Sequence, residues 1–435
     1  MKKLSAFLFI CALISSPLIR AQDTPQELCP QPPFIRGLRV YAGNDETNLP
    51  VMFKADSSAQ TNSLALPTFV TIRFDVAEEM PPRLAIRFHH CDKNWQIDTD
   101  YFVRDDFFTY TRLLLYEQAT AGIDGYRWRF TNSFPSLDHP FVRFLYSGNW
   151  IFDVTDESSA GTIYASGRFV VVEQGVSAGL EVRNDYWTPW NMPFDQVHRL
   201  RLSVRVPNPG PIFPDYIRSV DFYKNFDLYN NYRVDSYDRQ DNTFVEGIGM
   251  DRKTFTYENI PAGNGYRLFD LRRTAMYPAR QLVRKFEGAD FTRFRFGTDR
   301  SAYFGAAVTE PLRSFDADYL CTQFELETPF IEDADVFVAG IFNNWDPQPE
   351  DRMTYDEEIG HYVLHRWLLR GAYDYQYVVG RYDEDLGYVA DADWLRLEGN
   401  GWGANNLYWA VIYYDDDQFG GVNRAVGFTF FVTGR

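Results

Sequence analysis

Apolar residues recur at every second position in segment after segment of this chain, and that period belongs to strands with one face in a core. Val70, Ile72, Phe74 and Val76 alternate with Thr71, Arg73 and Asp75, and Leu200, Leu202, Val204 and Val206 with Arg201, Ser203 and Arg205. Leu84-Ile86-Phe88, Trp150-Phe152-Val154, Leu320-Thr322-Phe324-Leu326, Tyr373-Tyr375-Tyr377 and Leu407-Trp409-Val411-Tyr413 repeat the pattern, divided by Gly, Pro, Asn and Asp. Each such strand is expected to have a dry face and a wet one. The 28 Tyr, 37 Phe and 10 Trp agree with this, because strands favour aromatic side chains. No long segment keeps an apolar stripe at helical spacing; only Tyr110 to Thr120 is ambiguous between strand and one short helix. The pattern predicts an all-β chain of antiparallel β-sandwiches.

The chain opens with Met1-Lys2-Lys3, an apolar run from Leu4 to Ile14, and Ser15 to Ala21, the three parts of a signal peptide cleaved after Ala21. Export is expected, without a permanent anchor, because that run is shorter than the roughly 20 residues a spanning helix needs. Cys11 lies inside the apolar run behind Ile10, where a lipid-anchor signal would place a small residue. Cys29, Cys91 and Cys321 then remain, enough for one internal disulfide with the pair undetermined.

The remaining length suits three domains. A first boundary falls near Glu173 to Gly179, and a second near Thr309 to Phe315, before the acidic restart Asp316-Ala317-Asp318. The expected division is a signal peptide at 1–21, an extension at 22–32, and sandwiches at 33–173, 180–312 and 314–435. Net charge is −17, or −20 once Lys2, Lys3 and Arg20 are removed. A phosphate backbone is repelled by that field, so nucleic acid is not an expected partner.

No catalytic constellation is evident. His89-His90-Cys91-Asp92 gathers metal-ligand types, but neighbouring strand residues point to opposite faces. His361 and His365 are about 13 Å apart if His361 to Trp367 is a strand. No histidine accompanies a Gly-x-Ser-x-Gly elbow. Asp415-Asp416-Asp417, Asp383-Glu384-Asp385, and Asp333 with Asp335 could offer oxygen to Ca²⁺, yet none has a Ca²⁺-loop spacing. Solvated turns are the expected explanation, and structural Ca²⁺ the minor one. No cofactor is expected. Exposed aromatics in Asp185-Tyr186-Trp187-Thr188-Pro189-Trp190 and at Gly401-Trp402 are candidate interface anchors.

Two resemblances extend the reading. Val336 to Trp345, with its Phe342-Asn343-Asn344-Trp345 turn, and then Leu368 to Val379 resemble an early-set, glycogen-binding-type carbohydrate module. That resemblance implies glucan contacts at Trp345, Tyr388 and Asn405 or Asn406, although Gln376 stands where the family places a gripping lysine. The second covers nearly the whole mature chain: His90-Cys91-Asp92-Lys93-Asn94-Trp95, Ser147 to Val154, Arg168 to Glu173, Asn264 to Asp270, Asp316 to Tyr319, the Phe342-Asn343-Asn344-Trp345 turn and Ala404 to Tyr408. Together these stretches resemble the plug protein of the Bacteroidetes type IX secretion system. The resemblance implies a non-enzymatic periplasmic subunit at the inner face of the outer membrane, which docks on a large β-barrel translocon and closes its periplasmic mouth between cargoes. An exported glycan-binding protein working through the last module is the alternative. Cys321 and the extension carrying Cys29 depart from the plug pattern, and the extension is expected to be disordered or a mobile arm.

Overall fold

The computed structural model describes residues 28–54, 64–100, 103, 109–111, 113–158, 161–187, 196–208, 210–293, 300–309, 317–417 and 421–434. The signal peptide and Trp190 lie outside them. The described residues form three β-sandwiches, as the alternation predicts, and no helix among them is long and apolar enough to cross a membrane. Tyr110 to Thr120 resolves as two short strands, Tyr110–Thr111 and Tyr116–Gln118, rather than a helix.

Sandwich 1 pairs Ile35–Ala42, Val70–Val76, Trp128–Phe134 and Tyr116–Gln118 in one sheet. Its second sheet holds Val51–Phe53, Ile163–Val172, Gly148–Asp156, Leu84–Cys91 and Tyr110–Thr111. Between them lie Ile72, Phe74, Phe88, Phe130, Phe152 and Phe169, each at most 2% exposed. Each such side chain contributes roughly 1.5–3 kcal/mol relative to exposure.

The other two sandwiches are interleaved in sequence, which corrects the expected boundaries at 180–312 and 314–435. Sandwich 2 sets Ser177–Tyr186, Gln196–Arg205, Arg252–Pro261 and Thr243–Glu246 against Asn231–Asp235, Ile217–Lys224, Leu407–Asp416 and Val422–Val432. The C-terminal hairpin therefore completes the middle sandwich, with Phe222 opposite Ala410 and Val220 opposite Ile412. Sandwich 3 takes Arg267–Asp270 and Ala307–Val308 in exchange, both paired to Ala372–Asp383 beside Asp335–Gly340 and Tyr388–Asp393. Its opposite sheet is built on Tyr319–Glu327 and His361–Leu369, with Leu282–Arg284 and Asp290–Phe291 adding parallel edges.

The expected extension is also corrected. Cys29 is bonded to Cys321, and Trp367 Nε1 donates to the Pro30 carbonyl at 3.0 Å, so residues 28–32 are pinned to sandwich 3. Cys91 remains a free, fully buried thiol, pushed up to about 12 by burial.

Candidate functional site: the joints between sandwiches and the exposed aromatic face

The stretch His90 to Trp95 builds the joint between sandwiches 1 and 2. Asp92 Oδ1 accepts the N–H groups of Asn94 and Gln96, both at 2.8 Å, and closes a tight turn just after Leu84–Cys91. That turn presents Lys93 to Asp235 at 2.8 Å and the Lys93 carbonyl to Arg233 Nη2 at 2.5 Å. Arg233 also holds Asp221 with two bonds of 2.6 and 2.7 Å. Trp95 enters an apolar cluster with Val51, Val170 and Val172 from sandwich 1 and Tyr223, Trp409, Val411 and Tyr413 from sandwich 2. Tyr223 and Trp409 stack at 4.2 Å. Gly148 is needed here: its φ is +139°, and a Cβ would stand 2.5 Å from His90 Nε2 and 2.8 Å from the Asn423 carbonyl. His90 is engaged at both ring nitrogens within the protein, Nδ1 with Asp98 at 2.5 Å and Nε2 with the Ser147 carbonyl at 3.1 Å. Among the described residues no three His, Cys, Asp or Glu side chains converge on one point. Asp333, Asp335 and Asp416 are held by Arg396, Arg352 and Arg424.

Three of the residues proposed as glucan contacts, Trp345, Asn405 and Asn406, lie at the joint between sandwiches 2 and 3. Trp345 is 1% exposed. Its indole stacks on Tyr266 at 4.3 Å and its Nε1 donates to the Gly305 carbonyl at 2.9 Å. The loop supplying that carbonyl is held by Asp374, whose Oδ2 accepts from the Tyr303 and Gly305 N–H groups at 2.8 and 3.0 Å. Burial pushes that carboxyl up to about 6, with the N–H bonds drawing it back. Asn406 is also buried, accepting from Asn225 Nδ2 at 3.1 Å and donating to the Ala262 carbonyl at 3.0 Å. Asn405 exchanges bonds with the Ser301 backbone at 2.8 and 3.1 Å. Tyr388 stays 48% exposed on its own strand. Trp345 and Asn406 are thus spent on packing, Trp345 against Tyr266, Gly305 and Phe337, and Asn406 between the ends of neighbouring sandwich 2 strands. The amide pattern at Asn405 and Asn406 carried no sequence signal for this, since the Asn406 partners Asn225 and Ala262 follow other strands of sandwich 2 that lie far away along the chain.

Sandwiches 1 and 3 meet at Tyr319, whose hydroxyl donates to Asp75 Oδ2 at 3.0 Å. Two glycines of sandwich 1 receive its side chain: a Cβ on Gly37 (φ +57°) would lie 2.4 Å from the hydroxyl, and one on Gly125 (φ +98°) 2.4 Å from the Tyr319 Cβ. Gly125→Ala is therefore expected to lower stability by about 2 kcal/mol, from the positive φ and the overpacking together. Urea denaturation of the full chain measures it, and Gly122→Ala, with a φ of +97° and open space around it, isolates the backbone share.

Of the proposed interface anchors, Tyr186 and Trp187 are 40% and 39% exposed at the end of Ser177–Tyr186. Trp402 sits under Tyr186 at 4.8 Å between ring centres, and its indole donates to the Val197 carbonyl at 3.0 Å. It anchors the loop before the last hairpin to sandwich 2 and offers only its outer edge.

The sequence profile of the Type 9 secretion system plug protein 1st domain matches residues 35–173. No curated protein matches the chain. Among solved structures, the crystal structure of a hypothetical protein from Parabacteroides merdae ATCC 43184 is similar, with a TM-score of 0.73 at 18% identity. The match covers 93% of this chain and 98% of that one. At that identity the likeness is one of fold, and it extends across all three sandwiches.

Proposed function

We propose, from the match of residues 35–173 to the first domain of the type 9 secretion system plug protein, that this chain is a periplasmic plug of the translocon. In this reading it docks at the inner face of the outer membrane on a large β-barrel subunit and closes its periplasmic opening when no cargo passes. The match over residues 35–173 carries the proposal. Its physical support is that a steric plug needs a stiff body and a broad contact surface, with no catalytic step. Stiffness comes from joints that bury Trp95, Trp345 and Trp409 between sandwiches instead of leaving flexible linkers. Tyr186 and Trp187 are the aromatic side chains we assign to the contact, large anchors exposed at the edge of a sheet.

Purification of the outer-membrane translocon from cells carrying a tagged copy tests the proposal. The protein is expected to co-purify with the barrel, and the Tyr186→Ser, Trp187→Ser double variant to be recovered at least tenfold less. Absence of the wild-type protein from every barrel preparation would overturn the assignment.

A further inference from the structure

The three joints are chemically unequal. Sandwiches 1 and 2 share a continuous apolar cluster, so parting them exposes Trp95, Val170, Val172, Trp409 and Tyr413 to water. Sandwiches 2 and 3 share Phe226, Phe337 and Trp345 and are joined by the chain itself, which crosses between Pro261 and Arg267 and returns between Asp393 and Leu407. Sandwiches 1 and 3 meet instead over a buried ionic layer, with a small apolar contact of Tyr126, Ala317, Tyr319 and Leu369.

The ownership of that ionic layer is one-sided. Arg73 pairs with Glu46 at 2.6 Å, and Arg129 holds Asp75 with bonds of 2.7 and 2.8 Å. All four side chains belong to sandwich 1. Sandwich 3 contributes neutral groups to it: the Thr309 N–H and hydroxyl on Glu46, each at 2.8 Å, the Ala307 carbonyl on Arg39 at 3.1 Å, and the Tyr319 hydroxyl on Asp75, while its Asp318 carboxylate, which accepts the Asp124 N–H at 2.9 Å beside this layer, is paired with Arg370 of its own sandwich at 3.7 Å. Lifting sandwich 3 away therefore strands no unpaired charge. Each ion keeps its partner and regains water, offsetting the lost hydrogen bonds. Among the described residues the ion pair across the joint, Arg280 with Asp124, is largely exposed, where such pairs hold little. A cleft of about 480 Å³ already enters between the two sandwiches, lined by Ile35, Leu38, Phe342, Trp367 and Tyr373.

One covalent link spans this joint. Tyr319 and Cys321 lie two residues apart on one strand and so share a face, and Cys321 is bonded to Cys29, six residues before Ile35–Ala42 begins.

We propose that sandwich 3 is a tethered clasp, which swings on its joint with sandwich 2, lifts Tyr319 out of the Gly37–Gly125 notch, and is held within reach by Cys29–Cys321. The motion opens the cleft while the other two joints stay shut. It needs no unfolding, because every strand keeps its partners.

Native-state hydrogen exchange on the full, oxidised chain, read at single amides, tests this. The Thr309, Tyr319 and Asp124 N–H groups bond across the clasp, to Glu46, the Asp124 carbonyl and Asp318. Glu173, bonded to the Ala425 carbonyl, and Phe226, bonded to the Phe304 carbonyl, report the other two joints. The three clasp amides are expected to exchange at least tenfold faster than Glu173 and Phe226, with little dependence on denaturant. Tyr319→Phe keeps the ring and removes the bond to Asp75, and is expected to speed Thr309 and Asp124 severalfold further with Glu173 unchanged. Exchange of all five amides at one rate, rising together with denaturant, would overturn the clasp.

Discussion

Replacing Glu46 by alanine is expected to lower the unfolding free energy by about 3–5 kcal/mol, the cost of leaving a buried charge without its partner. Glu46 is 6% exposed, and its two oxygens serve Arg73 at 2.6 Å, Arg39 at 3.8 Å, and the Thr309 N–H and hydroxyl. Without it Arg73 and Arg39, at 1% and 7% exposure, face each other in the joint. Burial by itself would raise the Glu46 carboxyl, but Arg39, Arg73 and the Thr309 bonds more than offset it and hold the group below the ordinary carboxylate range. A depressed folded value means that the native state binds its proton less readily than the unfolded chain. The contribution is therefore complete above the unfolded value, near pH 4–5, and is lost as pH falls through the lower folded one. Chemical denaturation of wild type and Glu46→Gln at neutral pH and near pH 3 measures this, and the gap between them is expected to narrow in acid. An equal gap at both values would mean that charge is not what Glu46 supplies.

The same layer shows where the sequence stopped being informative. Period two in Val70 to Val76 correctly announced a strand, and Ile72, Phe74 and Val76 do fill a core. The alternate residues Thr71, Arg73 and Asp75 were expected to be wet, yet they are 4%, 1% and 1% exposed, Thr71 bonded to the Gly43 carbonyl of its own sandwich, and Arg73 and Asp75 covered by Thr309 and Tyr319 of sandwich 3. Alternation describes one sandwich at a time and is silent about what covers its polar face. A signal did exist in the last hairpin. Leu407 to Tyr414 is an unbroken apolar run, the composition of a strand covered on both faces. Tyr408, Ala410 and Ile412 fill sandwich 2, while Trp409, Val411 and Tyr413 face sandwich 1. Its membership in the middle sandwich was beyond local reading, because pairing Ala410 with Phe222 joins residues far apart along the chain. Likewise three cysteines could announce one disulfide, but only the fold brings residue 29 to residue 321. The motif His90 to Trp95 was visible, but its work as a joint depends on Asp221, Arg233 and Asp235, which no spacing in the motif foretells.

Trp345→Ala is expected to cost about 3–5 kcal/mol, the range for removing a buried large aromatic whose site cannot collapse. The site cannot collapse because three elements converge on the indole. Tyr266 stacks on one face, Gly305 approaches so closely that a Cβ there would be 3.0 Å from the ring, and Phe337 and Ala339 supply the remaining wall. The deletion also strands the Gly305 carbonyl, which accepts the indole N–H in a loop already fixed by Asp374. Trp345→Phe keeps ring contact with Tyr266 and loses that bond, so it is expected to fall between alanine and wild type. Both are read by urea denaturation. Hydrogen exchange adds a second readout, since loosening this joint is expected to speed the Phe226 amide, which bonds to the Phe304 carbonyl, and to spare Glu173 at the joint of sandwiches 1 and 2. A tryptophan serving as an exposed sugar platform predicts the reverse: near-neutral stability, unchanged exchange at Phe226, and lost retention on immobilised α-glucan. An indole 1% exposed, with its one donor satisfied inside the protein, has no face left to offer a sugar ring, so retention is expected to be unaffected by either substitution.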